Sequence, residues 1–148
     1  MAKKYQVTWI LRLANIIITT LLRCGLPMGN TYLLTVHGRK TGTPHTTPVT
    51  LIVQDGQRWL IAPYGAVGWV RNLRATKEGI LSRGRYRATF TVRELAAPEA
   101  APILQRYLQE ISIVRPYFEV AYDAPLQAIE AIAPQHPVFQ INPIADQR

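Results

Sequence analysis

Hydrophobic positions dominate the start of the chain, where an apolar run from Val7 to Leu22 is interrupted by Arg12 and Asn15. Wound as a helix, it sets Trp9, Leu13, Ile16, Ile17 and Thr20 on one side, and Ile10, Ile18, Leu21 and Leu22 broaden that side. Lys3 and Lys4 ahead of it imitate the basic end of a signal peptide. Arg23 before Cys24, however, spoils a small-residue cleavage site. The uninterrupted stretch also falls short of the roughly 20 apolar residues that cross a bilayer. The pattern therefore predicts a helix that covers the rest of the fold, docks on a membrane surface or lines a site for a lipophilic ligand.

Beyond the breaker-rich Gly25–Asn30 connection the period changes to two. Thr31–His37 reads as a strand, Gly38–Pro44 as a turn and Thr46–Gln54 as a second strand. Asp55-Gly56 is a hairpin signal that returns the chain through Arg58–Ala62. The punctuated stretch Pro63–Gly68 leads into a short helix over Trp69–Ala75. Ile80–Ser82 and Tyr86–Glu94 form another hairpin about Arg83-Gly84-Arg85. Pro98–Glu110 has Ile103, Leu104, Tyr107, Leu108 and Ile111 at helical spacing, Pro125–Ile132 is a further helix and Pro137–Ile141 a closing strand. Many short antiparallel strands with a few covering helices predict an α+β fold built on one small barrel. Residues 1–30 would supply the N-terminal helix and connection, and residues 31–148 the barrel.

A length of 148 residues suits one domain with a real core, and 48% hydrophobic content suits a folded chain. A single cysteine, Cys24, excludes an internal disulfide framework and fits a reducing, cytoplasmic compartment. Seventeen Lys and Arg against nine Asp and Glu leave a net charge of +8, a field that attracts anions. His37, His45 and His136 lie far apart with no metal-ligand spacing, so no metal site is expected. There is no GxSxG elbow, Walker loop or GxGxxG, and the sparse carboxylates argue against a paired-carboxylate hydrolase. An enzyme of this composition would leave the difficult chemistry to a cofactor. The Arg83-Gly84-Arg85-Tyr86-Arg87 hairpin is basic but has no recognition motif, so nucleic acid is not expected as a partner.

Two loops carry candidate chemistry. Gly38-Arg39-Lys40-Thr41-Gly42 sets two cations beside turn amides, which suits phosphate or carboxylate, or makes a solvated basic turn. Tyr64-Gly65-Ala66-Val67-Gly68-Trp69 lets backbone amides approach a ligand ahead of a helix N-terminus, or is an ordinary glycine turn with a core Trp.

The succession GRKTGTPHTTPV, a hairpin, then APYGAVGWVRNLRA resembles the deazaflavin-dependent nitroreductase family over about Leu33 to Glu94. That resemblance implies the split β-barrel shared with FMN-binding, pyridoxamine-phosphate-oxidase-like proteins. It also implies coenzyme F(420), an 8-hydroxy-5-deazaflavin, as cofactor, with FMN as second choice. Carried over by position, it assigns Arg39 and Lys40 to the coenzyme's phosphate and acidic tail, and Pro48 to its ring. Ala62, Pro63, Tyr64, Gly65, Ala66, Val67, Gly68, Trp69 and Asn72 would line the cofactor pocket. Tyr117 and Tyr122 would border the substrate as the catalytic candidates, Tyr117 as a hydrogen-bond donor or a positioning group. Two departures stand out: His45 replaces an arginine usual after Gly-x-Pro, and the second loop is shorter than in better-known quinone- and nitroimidazole-reducing members. Arg71 or Arg74 would then replace a lost contact to the tail. The implied reaction is hydride transfer to a lipophilic acceptor such as a quinone or nitro compound. The alternative is a fatty-acid- or lipid-binding barrel without redox activity. Peripheral contact with the inner face of the plasma membrane through the N-terminal helix, and a homodimer, complete the expected partners.

Overall fold

The computed structural model describes residues 9–23 and 29–143. Lys3, Lys4, Cys24 and most of the Gly25–Asn30 connection lie outside the described residues. Helix α1 (Trp9–Arg23) is followed by strands β1 (Thr31–His37), β2 (Pro44–Gln54) and β3 (Gln57–Ile61). Helix α2 (Gly68–Thr76), strands β4 (Glu78–Arg83) and β5 (Tyr86–Glu94), and helix α3 (Ala97–Glu110) come next. A 3-10 segment (Ser112–Tyr117), helix α4 (Leu126–Ile132), a 3-10 turn (Ala133–Gln135) and strand β6 (Val138–Pro143) complete the described chain. The predicted elements are all present with shifted ends, and the 3-10 segment has no counterpart in the sequence reading.

The six strands close into an antiparallel barrel in the order β1-β2-β3-β6-β5-β4, so no strand is left as an edge. Asp55 and Gly56, both at positive φ, make the two-residue turn between β2 and β3. Period-two alternation sends Leu34, Val36, Val49, Leu51, Leu60, Leu81, Phe90, Phe139 and Ile141 into the barrel interior. Gly79 belongs to this interior because a Cβ there would come 2.7 Å from Phe90 Cζ.

The outer face of the barrel carries two separate covers. Ile52, Ile61 and Val138 point outward and join Leu104, Leu108 of α3 and Ile129 of α4 in a second core. Farther round, the cross-strand row Ser82–Leu33–Pro48 also points outward. Leu33 is only 2% exposed, on the stretch where α1 crosses β1, β2 and β4. Helix α1 turns Leu11, Ala14, Ile18 and Leu21 inward, and none of its described side chains is fully buried. The Trp9, Leu13, Ile16 and Ile17 side faces solvent, so only the narrower stripe covers the barrel.

Candidate functional site

Because α1 and the α3–α4 layer cover neighbouring parts of the same outer face, a groove runs between them. It has a volume of about 410 Å³. Leu11, Asn15 and Ile18 of α1 form one wall, Tyr107, Ile113 and Val114 the other, and Pro48 and Thr50 of β2 lie in the floor. A second cleft of about 370 Å³ is lined by His45, Thr46, Thr47, Gly68, Trp69 and Asn72. Thr47, Gly68 and Trp69 border both, so the two hollows adjoin.

The β1–β2 turn is held to α2 by one buried side chain. Asn72 is 6% exposed, and its Oδ1 accepts the Arg39 backbone N–H at 3.1 Å and Arg39 Nη1 at 2.7 Å. This holds the Arg39 guanidinium against Asn72, a lining residue of the second cleft, while Arg39 and Lys40 are both exposed in the turn and line neither hollow. Gly38 is closely approached: a Cβ there would stand 3.3 Å from Thr41 Oγ1 and 3.4 Å from His45 Nε2.

The other loop, between β3 and α2, is pinned from behind. Ala62 N–H donates to Pro137 O at 2.9 Å, and His136 Nδ1 pairs with Pro63 O at 2.9 Å. The His136 ring stacks on Phe118 at 3.8 Å, and its burial lowers its proton affinity below the usual histidine value. A neutral His136 is thus the Nδ1–H donor that holds Pro63. Gly65, at φ +82°, turns the loop where a Cβ would lie 3.3 Å from Gln135 O. The loop delivers Gly68 to the first turn of α2, where the N–H groups of Gly68 and Trp69 are outside the helical ladder and no described residue accepts from them. A Cβ on Gly68 would meet nothing within 4 Å, so the groove is open at this backbone.

The model of the F420H(2)-dependent quinone reductase family matches residues 6–121. The chain belongs to that family. No functionally curated protein matches it significantly. Among solved structures, a chain described as a domain-swapped dimer matches with TM-score 0.58 at 18% identity, covering 90% of this chain and 97% of that one. A NimC/NimA family protein from Clostridium acetobutylicum matches with TM-score 0.53 at 10% identity, covering 86% and 81%. A protein of unknown function from Agrobacterium tumefaciens gives TM-score 0.57 at 16% identity, covering 95% of this chain but 58% of its own. At these identities the likenesses establish the fold, an α+β split barrel.

The site fits the deazaflavin coenzyme that the quinone reductase family implies. Pro48, Gly68 and Trp69 offer surfaces that a planar ring would suit, and Arg39 and Lys40, exposed in the β1–β2 turn and lining neither hollow, are cations that an anionic tail would suit. Of the residues expected at the cofactor, Pro48, Pro63, Tyr64, Val67, Gly68 and Trp69 line the groove, and His45 and Asn72 line the adjoining cleft. Ala62 instead lies in the barrel interior, while Gly65 and Ala66 shape the loop without bordering either hollow. Arg74 is not available to a coenzyme tail, because Glu94 holds it through Nε at 2.9 Å and Nη2 at 2.8 Å. Arg71 is exposed on α2. Tyr117 packs edge-on behind Tyr64, with ring centroids 4.7 Å apart, and borders neither hollow. Tyr122 lies farther off under the Arg115 guanidinium, 4.0 Å from its centroid.

Tyr107 borders the groove where sequence reasoning gave it only a core position. It is 3% exposed, and burial, reinforced by neighbouring Tyr64, raises its hydroxyl above the ordinary tyrosine range. One signal pointed to it: it is the only hydroxyl on an otherwise apolar helix face. Ile113 and Val114, on the unpredicted 3-10 segment, had no such signal.

Proposed function

We propose that the adjoining hollows seat reduced coenzyme F(420) beside a quinone-like acceptor, with the tail at Arg39 and Lys40 and the acceptor between α1 and α3. The junction of an apolar groove with a second cleft through Thr47, Gly68 and Trp69, with Arg39 bonded to the cleft residue Asn72, carries this reading. The bound coenzyme supplies a hydride from C5 of its reduced ring. The chain supplies orientation and exclusion of water, which lower the barrier by fixing the approach of two planar groups. Trp69, held against Phe139 at 6.5 Å between centroids, and Pro48 are the rigid surfaces for stacking. Tyr107 keeps its proton throughout the physiological range, so its hydroxyl serves as a donor to charge developing on an acceptor oxygen. Tyr117 supports Tyr64 from behind, a positioning role, and Tyr122 has no part in this reading.

Among the described residues no helix is long and apolar enough to cross a membrane. The setting we propose is the cytoplasm, with α1 at the inner face of the plasma membrane.

Fluorescence titration with coenzyme F(420) and with FMN tests the cofactor. Micromolar affinity for F(420) and at least tenfold weaker affinity for FMN are expected, and Arg39→Ala should weaken F(420) binding. Binding of neither at micromolar concentration would overturn the reading. Native mass spectra showing a retained acyl chain instead would favour a lipid carrier. Tyr107→Phe should lower kcat with a quinone by roughly a hundred- to a thousandfold while leaving F(420) affinity intact, the range expected for one lost donor.

A further inference from the structure

The polar side chains of the groove are not spread evenly along it. Thr47 and Trp69 stand where it meets the second cleft. Pro48 and Thr50, alternate residues of β2, share the outward face about 7 Å apart. Thr50 is directly opposite Thr31 of β1, and their hydroxyls are hydrogen-bonded at 3.0 Å. One hydroxyl donates in that pair, so the proton of the other remains available. Both side chains line the groove, and no other described residue bonds to either hydroxyl.

This polar point is held firmly although it lies at the start of a strand. Arg83 Nη1 donates to Gly29 O at 2.8 Å and to Thr31 O at 3.3 Å, with the guanidinium 4.3 Å from the Tyr32 ring centroid. Leu51 N–H donates to Asn30 O at 2.9 Å and carries the β1–β2 pairing past the two threonines.

Helix α1 contributes a third polar group. Of its residues that line the groove, Leu11 and Ile18 are apolar and Asn15 is not. Asparagine is a poor helix former, yet Asn15 is in mid-helix with its side chain bonded to no described residue. The exposed side of the same helix carries Trp9, Leu13, Ile16 and Ile17, so polarity on α1 is not reserved for solvent. Since β2 lies between β1 and β3, the floor runs from Thr31 on the α1 side through Thr50 to Ile61, which shares a core with Tyr107. A planar ring on this floor therefore meets donors on two sides, Tyr107 on one and Asn15 with the threonine pair on the other. A few placed donors in an apolar pocket fix the orientation of what binds there.

We propose that Asn15 and the Thr31–Thr50 pair determine acceptor specificity by donating to a second oxygen, on the ring edge away from the oxygen that Tyr107 serves. The class this favours carries carbonyl oxygens at opposite edges of one ring, as a para-quinone does. A nitroarene, with both oxygens on one substituent, leaves this end unused. The inference rests on the reading of the groove as the acceptor site.

The test uses the full chain and two probes of one ring system, para-naphthoquinone and nitronaphthalene. Asn15→Asp keeps size and polarity but removes the amide donor, and Thr50→Val keeps the branched shape but removes the hydroxyl. Each should raise KM for para-naphthoquinone about three- to tenfold, the worth of one neutral hydrogen bond, with little change in kcat. The Kd of that quinone for coenzyme-free protein, read by quenching of tryptophan fluorescence, should rise in step. For nitronaphthalene, KM and Kd should move by less than about twofold, and F(420) affinity should show that both variants are folded. Equal losses with both probes, or no loss with the quinone, would overturn the inference. So would a fall in kcat with KM and Kd unchanged. Absence of F(420) binding in the parent protein, with both variants still weakening quinone binding, would instead remove the proposed function and leave this contact standing.

Discussion

Two glycines on α2 and β4 separate what holds the fold from what serves the site. Gly79 faces the barrel interior, where an added Cβ would lie 2.7 Å from Phe90 Cζ and 3.3 Å from Leu34 Cδ1. Phe90 and Leu34 are essentially fully buried, so neither has room to yield. Gly79→Ala should therefore destabilise the protein by about 1–3 kcal/mol, the cost of overpacking a filled core, read from the urea midpoint. Gly68 is the opposite case, with no atom within 4 Å of its missing Cβ and no left-handed backbone. Gly68→Ala should leave the urea midpoint within about 0.5 kcal/mol of the parent, as expected for an exposed helix position. It should nevertheless weaken F(420) binding, because the methyl would stand at the junction of the two hollows. A stability loss in Gly68→Ala as large as in Gly79→Ala would contradict this division.

Elements were legible in the sequence where one local signal decided them. Period-two alternation and Asp55-Gly56 were enough for the β2–β3 hairpin, which the structure closes in that register. The glycine-flanked loops were also visible, because Gly65 is at positive φ and Gly38 is closely approached. The walls of the groove were not, since they come from segments distant in the chain that meet only after the barrel closes. Tyr107 and Ile113 face Leu11 and Ile18 across it, and no periodicity within α1 or α3 records that pairing. Nor could alternation show that the loop between β3 and α2 depends on His136, 73 residues beyond Pro63. That dependence has a pH signature. Burial lowers the affinity of folded His136 for a proton relative to its ordinary value of 6.5, so below that value the unfolded chain takes up the proton first. Stability should hold above about pH 6.5, decline as pH falls towards the lower folded-state value, and level off beneath it. In His136→Gln that part of the decline should disappear, as measured by urea unfolding at a series of pH values. An unchanged pH profile in the variant would exclude His136 as its source.

At the scale of the whole molecule, a closed barrel is joined to a helix that it does not need for closure. All six strands find both neighbours without α1, and the interior is filled by strand residues together with Ala62 after β3 and Val70 and Leu73 of α2. The described side chains of α1 are at best half-buried, and Leu33 is the outward strand residue whose cover depends on it. A 15-residue helix is marginal on its own in water, so its persistence rests on that narrow contact. Opening of α1 should consequently cost much less than global unfolding. Hydrogen exchange of the full chain in solution should show α1 amides exchanging at least a hundredfold faster than those of β1, β4 and β5, whose ladders are closed on both sides. Phosphatidylglycerol vesicles should slow exchange in α1 and leave the strands unchanged, because only the helix gains a new cover. Equal protection of α1 and the barrel without vesicles would mean that its apolar side is already covered in solution. The groove would then have one fixed wall instead of a movable one, and the acceptor would need another way in.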